Sequence, residues 1–328
     1  MGNRFHFVVF TMAVIFYGQI AIAEERVATL SVPVKIDSGD LSVLFRDNSD
    51  SPRTLSGVQS LFHRNHSPDF DAFDPQGQGS SAGLNFEHII SGHPDRANKF
   101  TPRHGPYTLH RIDAQTVELR RRKEDSPWAV SSIFRYTITP PHFIDFQFQC
   151  IAHDITRFGE RNYGIFFWAN YMNQVEDVAL HFLGMEEPEA RPTWIAATAP
   201  KSHKDYNGGG TYRHHLAKPL PYDEDHNFKL NVWSYQWPRY SKPFYVGRAA
   251  NGMCLILMFD RAYTAADEIR FSLFKFKVKG VDRRPAWDFQ YVIHQIEEGE
   301  QYGYQGRLVW KKFVSYDDCL KEHEKWSE

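Results

Sequence analysis

The chain has 328 residues, 24% of them charged, with a formal net charge of −2 at pH 7. That balance supplies no global field for nucleic acid or an anionic membrane. Aromatic residues reach 15%, with 26 Phe, 16 Tyr and 8 Trp, a composition that suits strands, sheet cores and the flat faces of sugars.

Arg4, the apolar run Phe7 to Ile15, and Ala21-Ile-Ala23 before Glu24-Glu25 read as a secretory signal peptide (1–23) cleaved near Ala23/Glu24. The run is short and interrupted by Tyr17, Gly18 and Gln19, so an uncleaved anchor is the lesser reading. A secreted or periplasmic protein without membrane contact after cleavage is the expectation. The mature chain, 24–328, reads as one domain, since β-sandwiches and barrels reach about 250 residues as single units.

Strands are predicted at Ala28 to Ile36 and Leu41 to Phe45, before the turn cluster Asp47-Asn-Ser-Asp-Ser-Pro52. His63 to Ser81 reads as a long surface loop. Leu84 to Ile90 is the next strand, followed by an irregular insert holding His93, Arg96, Arg103 and His104. Tyr107 to Ile112 and Thr116 to Arg120 form a hairpin, and Arg120-Arg-Arg-Lys123 is a solvated strand end. Ile133 to Cys150 alternates apolar and polar residues on both sides of Pro140-Pro141, the pattern of a half-buried antiparallel hairpin with Ile144, Phe146, Phe148 and Cys150 on its inner face. Further strands are expected at Val178 to Leu183, Thr193 to Thr198, Phe244 to Gly247, Met253 to Phe259, Ile269 to Val278, Trp287 to Ile293 and Leu308 to Val314. Ser315-Tyr-Asp-Asp318 opens one C-terminal helix with a capping signal, packing Tyr316, Leu320 and Trp326 on the sheet edge. The whole reads as all-β and antiparallel. Cys150, Cys254 and Cys319 allow at most one disulfide, and Cys254 reads as a buried apolar residue.

The order Tyr-Thr-Ile-Thr139, turn, apolar alternation, charged loop, and a strand running into Asn170-Tyr-Met-Asn173 resembles the central region of the galactose-mutarotase-like family, with Gly83-Leu-Asn-Phe-Glu-His88 fitting loosely upstream. The resemblance runs over Leu41 to Gly184 and implies an antiparallel β-supersandwich. The family's sugar epimerases carry a catalytic His in this strand. Aligning Tyr171-Met172-Asn173 puts Ala169 in its place, and Ala cannot transfer a proton. His153 and His181 are the available substitutes.

Three polar constellations interrupt the β pattern. The first is the glycine-rich stretch with His203, Asp205, Tyr206, Tyr212, Arg213, His214 and His215. Here a Tyr or His could move a proton while Arg213 neutralises an acidic group, or the stretch is a plain hairpin tip. A metal held by His203, Asp205 and one of His214 or His215 is weighed there and set aside, so no metal and no cofactor is expected. The second is the loop with His153, Asp154, Arg157, Glu160 and Arg161, in which Glu160 and Asp154 form a candidate acid/base pair; a surface ion-pair loop is the alternative. The third joins Trp168, Asn170, Tyr171 and Asn173 with Trp194, Trp233, Tyr235 and Trp237 as a stacking and amide-lined cleft, against core packing. No dinucleotide, phosphate-loop, metalloprotease or nucleophile-elbow motif occurs.

These readings converge on a protein that binds a neutral or acidic oligo- or polysaccharide and cleaves it by elimination or hydrolysis. The alternatives are a non-catalytic glycan-binding sandwich and a sugar epimerase.

Overall fold

The computed structural model describes residues 29–30, 33–48, 55–73, 82–91, 101–198, 208–222, 236–275 and 284–328. The expected signal peptide, His93, Arg96, His203, Asp205, Tyr206, Trp233, Tyr235 and Phe276 lie outside them.

The hairpin expected around Pro140-Pro141 pairs Val130–Thr139 with Phe143–Ala152, and the Pro140-Pro141 peptide is cis. Ile144, Phe146, Phe148 and Cys150 are all buried, as period-two spacing dictates. This hairpin sits within an 11-stranded sheet. The C-terminal strand Gln301–Lys312 lies between Phe143–Ala152 and Met253–Phe259, and Phe244–Ala249, Val175–Met185 and Thr193–Ala197 extend the sheet beyond. On the other side run Thr116–Arg121, Thr108–Arg111 and Thr29–Leu30. The last strand begins seven residues earlier than Leu308, at Gln301, because Gly303 and Gly306 break the apolar pattern without breaking the strand.

A five-stranded sheet faces it, in the spatial order Gly208–Tyr212, Asp267–Lys275, Pro285–Ile293, Gly164–Ala169 and Asn85–Ser91, all antiparallel. A three-stranded sheet, Val34–Ser38, Leu41–Arg46 and Gly57–His63, is the third sheet among the described residues. The expected all-β antiparallel sandwich with one C-terminal helix is what the chain forms, apart from a four-residue helical turn at Thr101–His104 inside the stretch read as irregular.

The two larger sheets meet through rings. Trp168 is fully buried, stacked on Phe289 at 5.3 Å and on Phe86 at 4.8 Å within its own sheet, with Phe148 of the opposite sheet edge-on at 4.7 Å. Phe271 meets Tyr240 at 4.0 Å and Tyr245 at 5.1 Å in the same interface. Ring pairs at these spacings add to the area term of burial.

The C-terminal helix Tyr316–Ser327 starts where expected, with Ser315 accepting from Asp318 N at 3.1 Å. It covers the middle of the large sheet rather than its edge: Tyr316, Leu320 and Trp326 pack over Phe244, Val246, Cys254 and Ile256. Lys311 ties it down through Glu322 at 2.6 Å and Asp318 at 2.9 Å. All three cysteines are free and buried.

At Gly247 a Cβ would stand 2.2 Å from the Trp287 ring, itself fully buried. Gly247→Ala is therefore expected to lower stability by about 1–3 kcal/mol, read as a shift of the urea midpoint at unchanged slope.

Candidate active site

Strand alternation gives the five-stranded sheet two faces, and its inner face is the aromatic one just described. Phe86, Phe166, Trp168, Ile269, Phe271, Leu273, Phe289 and Tyr291 all point to the core. The intervening residues must point the other way. On that outer face stand His88, Phe167, Thr211, Glu268, Arg270, Ser272, Asp288 and Gln290, all buried. A face of this polarity inside the protein has to be internally bonded.

Glu87 joins it through an irregularity. Phe167 pairs with His88 and Trp168 with Phe86, so Glu87 is the extra residue of a β-bulge, a device that re-aims a side chain. Its carboxylate accepts from Arg103 Nη1 at 2.8 Å and from the Tyr171 hydroxyl in a short hydrogen bond, and its second oxygen lies 3.5 Å from His88 Nδ1. The His88 ring stacks on Phe167 at 4.2 Å.

Asp288 comes from the neighbouring strand. Asn170 locks the two together: its backbone N–H donates to Asp288 Oδ1, its Nδ2 donates to Trp287 O, and its Oδ1 accepts from Leu84 N, each at 2.8 Å. One residue thus fixes the start of the Glu87 strand against Asp288. Further along, Gln290 Nε2 lies 3.5 Å from Thr211 Oγ1, and Glu268 is shared between Arg270 and Arg213, whose Nε stands at 3.2 Å.

The two carboxyls are driven apart. Burial would raise the Glu87 pKa, but His88, Arg103 and Tyr171 together outweigh it and hold the group below its ordinary range. At Asp288 burial dominates, the Asn170 N–H opposes it only in part, and the nearby Glu87 charge adds to it, so this pKa lies well above the usual carboxylate value. Two nearby carboxyls whose pKa values are pushed in opposite directions are the arrangement acid/base chemistry uses. Burial and Glu87 also push the Tyr171 hydroxyl well up.

The residues singled out in the sequence fare unevenly. Tyr171 belongs to this group, and Asn170 supports it. Asn173 instead donates to Asp71 O at 3.1 Å. Trp168 is a correction: it is the centre of the core, with no ring face open to a sugar. Tyr212 is likewise a core residue, packed on Phe182 and donating to Thr198 O at 2.7 Å. Arg213 is buried in the Glu268 pair and also donates to Lys218 O at 2.8 Å, which ties up the group meant to neutralise a substrate. Burial and the adjacent His215 hold the His214 imidazole down to about 4, and its Nδ1 accepts from Leu216 N at 3.3 Å. Burial also lowers the pKa of His215.

The charged loop is corrected as well. Asp154 caps the short helical turn Ile155–Phe158, accepting from Thr156 N at 3.1 Å and Arg157 Nε at 2.9 Å, while Glu160 is exposed. Local capping explains Asp154 without an acid/base role. Arg161 donates to Pro221 O at 2.6 Å. His153 lies 2.8 Å from Ser131 Oγ and His181 2.9 Å from Asp177 Oδ2, neither with Asp288. Trp237 is half-buried under the Arg239 guanidinium at 5.1 Å, and Trp194 packs on Phe244 and Tyr316 beneath the C-terminal helix.

Glu87, His88, Arg103, Asp288 and Gln290 were not assigned as site residues from sequence. The signal was present in Trp287-Asp-Phe-Gln-Tyr291, where polar residues alternate with rings inside one strand.

No family model matches the chain, and no curated protein matches it. Among solved structures it is similar to an aldose 1-epimerase described as putative from Escherichia coli K12, at 9% identity and a TM-score of 0.49, covering 86% of this chain and 99% of that one. A GalM/aldose epimerase homologue from C. elegans is 11% identical with a TM-score of 0.44 and the same coverage. The heparan sulfate lyase HepC from Pedobacter heparinus, as a mutant, is 6% identical with a TM-score of 0.44, and the match covers 35% of that longer chain. Likeness at this level says nothing of activity.

Two measurements probe the polar face. Glu268→Gln leaves two buried guanidinium groups without their shared charge and is expected to lower stability by about 3–5 kcal/mol in urea unfolding. At Asp288 the folded chain binds a proton that the unfolded chain releases near the ordinary Asp value, so its contribution to stability falls as pH rises from roughly 4 towards the raised pKa. Asp288→Asn keeps an acceptor for the Asn170 N–H, and the stability difference between wild type and variant should shrink to nothing at low pH and grow in favour of the variant above it.

Proposed function

We propose that the protein is a carbohydrate-active enzyme exported from the cytoplasm, and that Asp288 acts as its proton donor with Glu87 as the ionised partner. The observation that carries this reading is the pair of carboxyls on one sheet face with opposed pKa shifts, set among Tyr171, His88, Arg103 and Gln290. The reading keeps the sugar-directed reaction expected from the sequence pattern and moves its chemistry from the Tyr206–His215 stretch and the Asp154 loop to the five-stranded sheet. Protonation of a glycosidic or ring oxygen by a neutral carboxylic acid, with a nearby carboxylate stabilising the positive charge that develops, requires groups of these two kinds. It suits cleavage of an oligo- or polysaccharide, and it equally suits opening of a sugar ring, which revives the epimerase alternative by supplying a proton donor where Ala169 has none.

A second reading has its own support. Glu87 is already engaged by Arg103, Tyr171 and His88, and a carboxylate so satisfied also suits a rigid, non-catalytic glycan-binding sandwich.

The test is incubation of the mature protein with neutral, uronic and sulfated saccharides, following unsaturated-product absorbance, reducing ends and optical rotation together. Activity in any channel that falls at least about 100-fold in Asp288→Asn, with sugar binding retained, supports the enzyme. Silence in all three channels with saturable binding to one glycan supports the binder.

A further inference from the structure

Away from the five-stranded sheet, three turns from distant parts of the sequence converge. The first is the Gly39–Asp40 turn between Val34–Ser38 and Leu41–Arg46. The second is the end of Gly57–His63, and the third is the Pro140–His142 turn of the long hairpin. Backbone hydrogen bonds stitch them: Asp40 N donates to Pro141 O at 2.6 Å and Arg64 N donates to Asp40 O at 2.7 Å. Gly39, at φ +56°, is needed for the approach, because a Cβ there would stand 2.4 Å from Pro141 O.

The stitching presents three ligand-type side chains to one another. Asn65 Nδ2 holds Asp40 Oδ1 at 2.5 Å, which leaves Oδ2 directed at two imidazoles. That oxygen lies 3.8 Å from His63 Nε2 and 3.7 Å from His142 Nδ1, and all three ligand atoms lie within 4.8 Å of one another. These spacings are too long for hydrogen bonds. In a tetrahedral site with bonds near 2.1 Å, neighbouring ligand atoms stand about 3.4 Å apart, so Oδ2 needs to shift only a few tenths of an ångström towards each nitrogen, while the two imidazole nitrogens, within 4.8 Å of each other, close by up to about 1.4 Å through side-chain rotation.

We propose that Asp40, His63 and His142 bind one divalent transition-metal ion of the zinc class, with solvent in the remaining position. Two imidazoles and one carboxylate are a ligand set such ions favour over calcium or magnesium. The side chains are 27%, 7% and 16% exposed respectively, so the site is sheltered but reachable. Ligation through His63 Nε2 puts that ring's proton on Nδ1, which gives up the 3.1 Å hydrogen bond it accepts from His66 N. Asn65, by fixing the other carboxylate oxygen, orients the ligand from behind. Of the charged groups nearby, Lys311 opposes a cation, but its ammonium is engaged by Glu322 and Asp318, and Arg64 turns its guanidinium to Gly39 O at 3.3 Å. The bound ion would clamp the three-stranded sheet to the long hairpin, a role separate from sugar chemistry.

The test uses untagged mature protein stripped with chelator. Zinc titrated by calorimetry should bind at one ion per chain and raise Tm, and cobalt should give the intense visible bands of a four-coordinate site. Asp40→Asn and His142→Gln should each abolish saturable binding while keeping the Tm of the stripped wild type, and Asn65→Ala should weaken it about 10–100-fold. Absence of saturable binding in the wild type, or unchanged affinity in Asp40→Asn and His142→Gln, overturns the proposal. Neither result bears on Asp288.

Discussion

The stack of Phe86, Trp168 and Phe289 constrains the rest. Three strands of the five-stranded sheet each place a ring in it, and the rings lie against Phe148 of the large sheet. Once these side chains are committed inward, strand alternation leaves their neighbours no choice of direction. Asp288 and Gln290, on either side of Phe289, go to the outer face. Their exposure of 2% and 0% means that hydration is lost there too, so bonding must come from within. The aromatic core and the buried polar face are thus one decision about register, and a slip by one residue would exchange them.

Asn170 turns that register into geometry. Its three hydrogen bonds connect the strand carrying Glu87 to the strand carrying Asp288, and the bulge at Glu87 supplies the offset that regular pairing would not. The same combination separates the two carboxyls electrostatically. Glu87 has donors from a helical turn and a neighbouring strand end and an imidazole of its own strand beside it, whereas Asp288 has mainly a backbone N–H. Environment, rather than residue type, distinguishes them.

How much of this was legible depends on whether one face of a strand meets water. The hairpin from Val130 to Ala152 has one buried and one half-solvated face, and its alternation was readable residue by residue. Gly164–Ala169 and Pro285–Ile293 are buried on both faces, so an apolar side chain there does not reveal its direction, and the sequence leaves Trp168 open between a sugar platform and the core. Charge in loops drew the eye for a similar reason: Asp154 and Arg157 look like chemistry in sequence and act as a cap in space. The Tyr206–His215 stretch was read as one unit, yet Tyr212 and Arg213 alternate onto opposite faces of a strand end. Glu87 and His88 could not be placed without the bulge, which leaves no mark in composition.

The position of Gln301–Lys312 carries a consequence for how the chain acquires this shape. It is the last strand among the described residues, yet it fills the middle of the large sheet, between segments that lie about 150 and 50 residues earlier. Until it arrives, Phe143–Ala152 and Met253–Phe259 each expose an unpaired edge, and the helix that covers them follows it. A chain emerging from the ribosome therefore cannot close its main sheet before Gln301–Lys312 has been made. Such non-local pairing folds slowly and leaves strand edges open meanwhile.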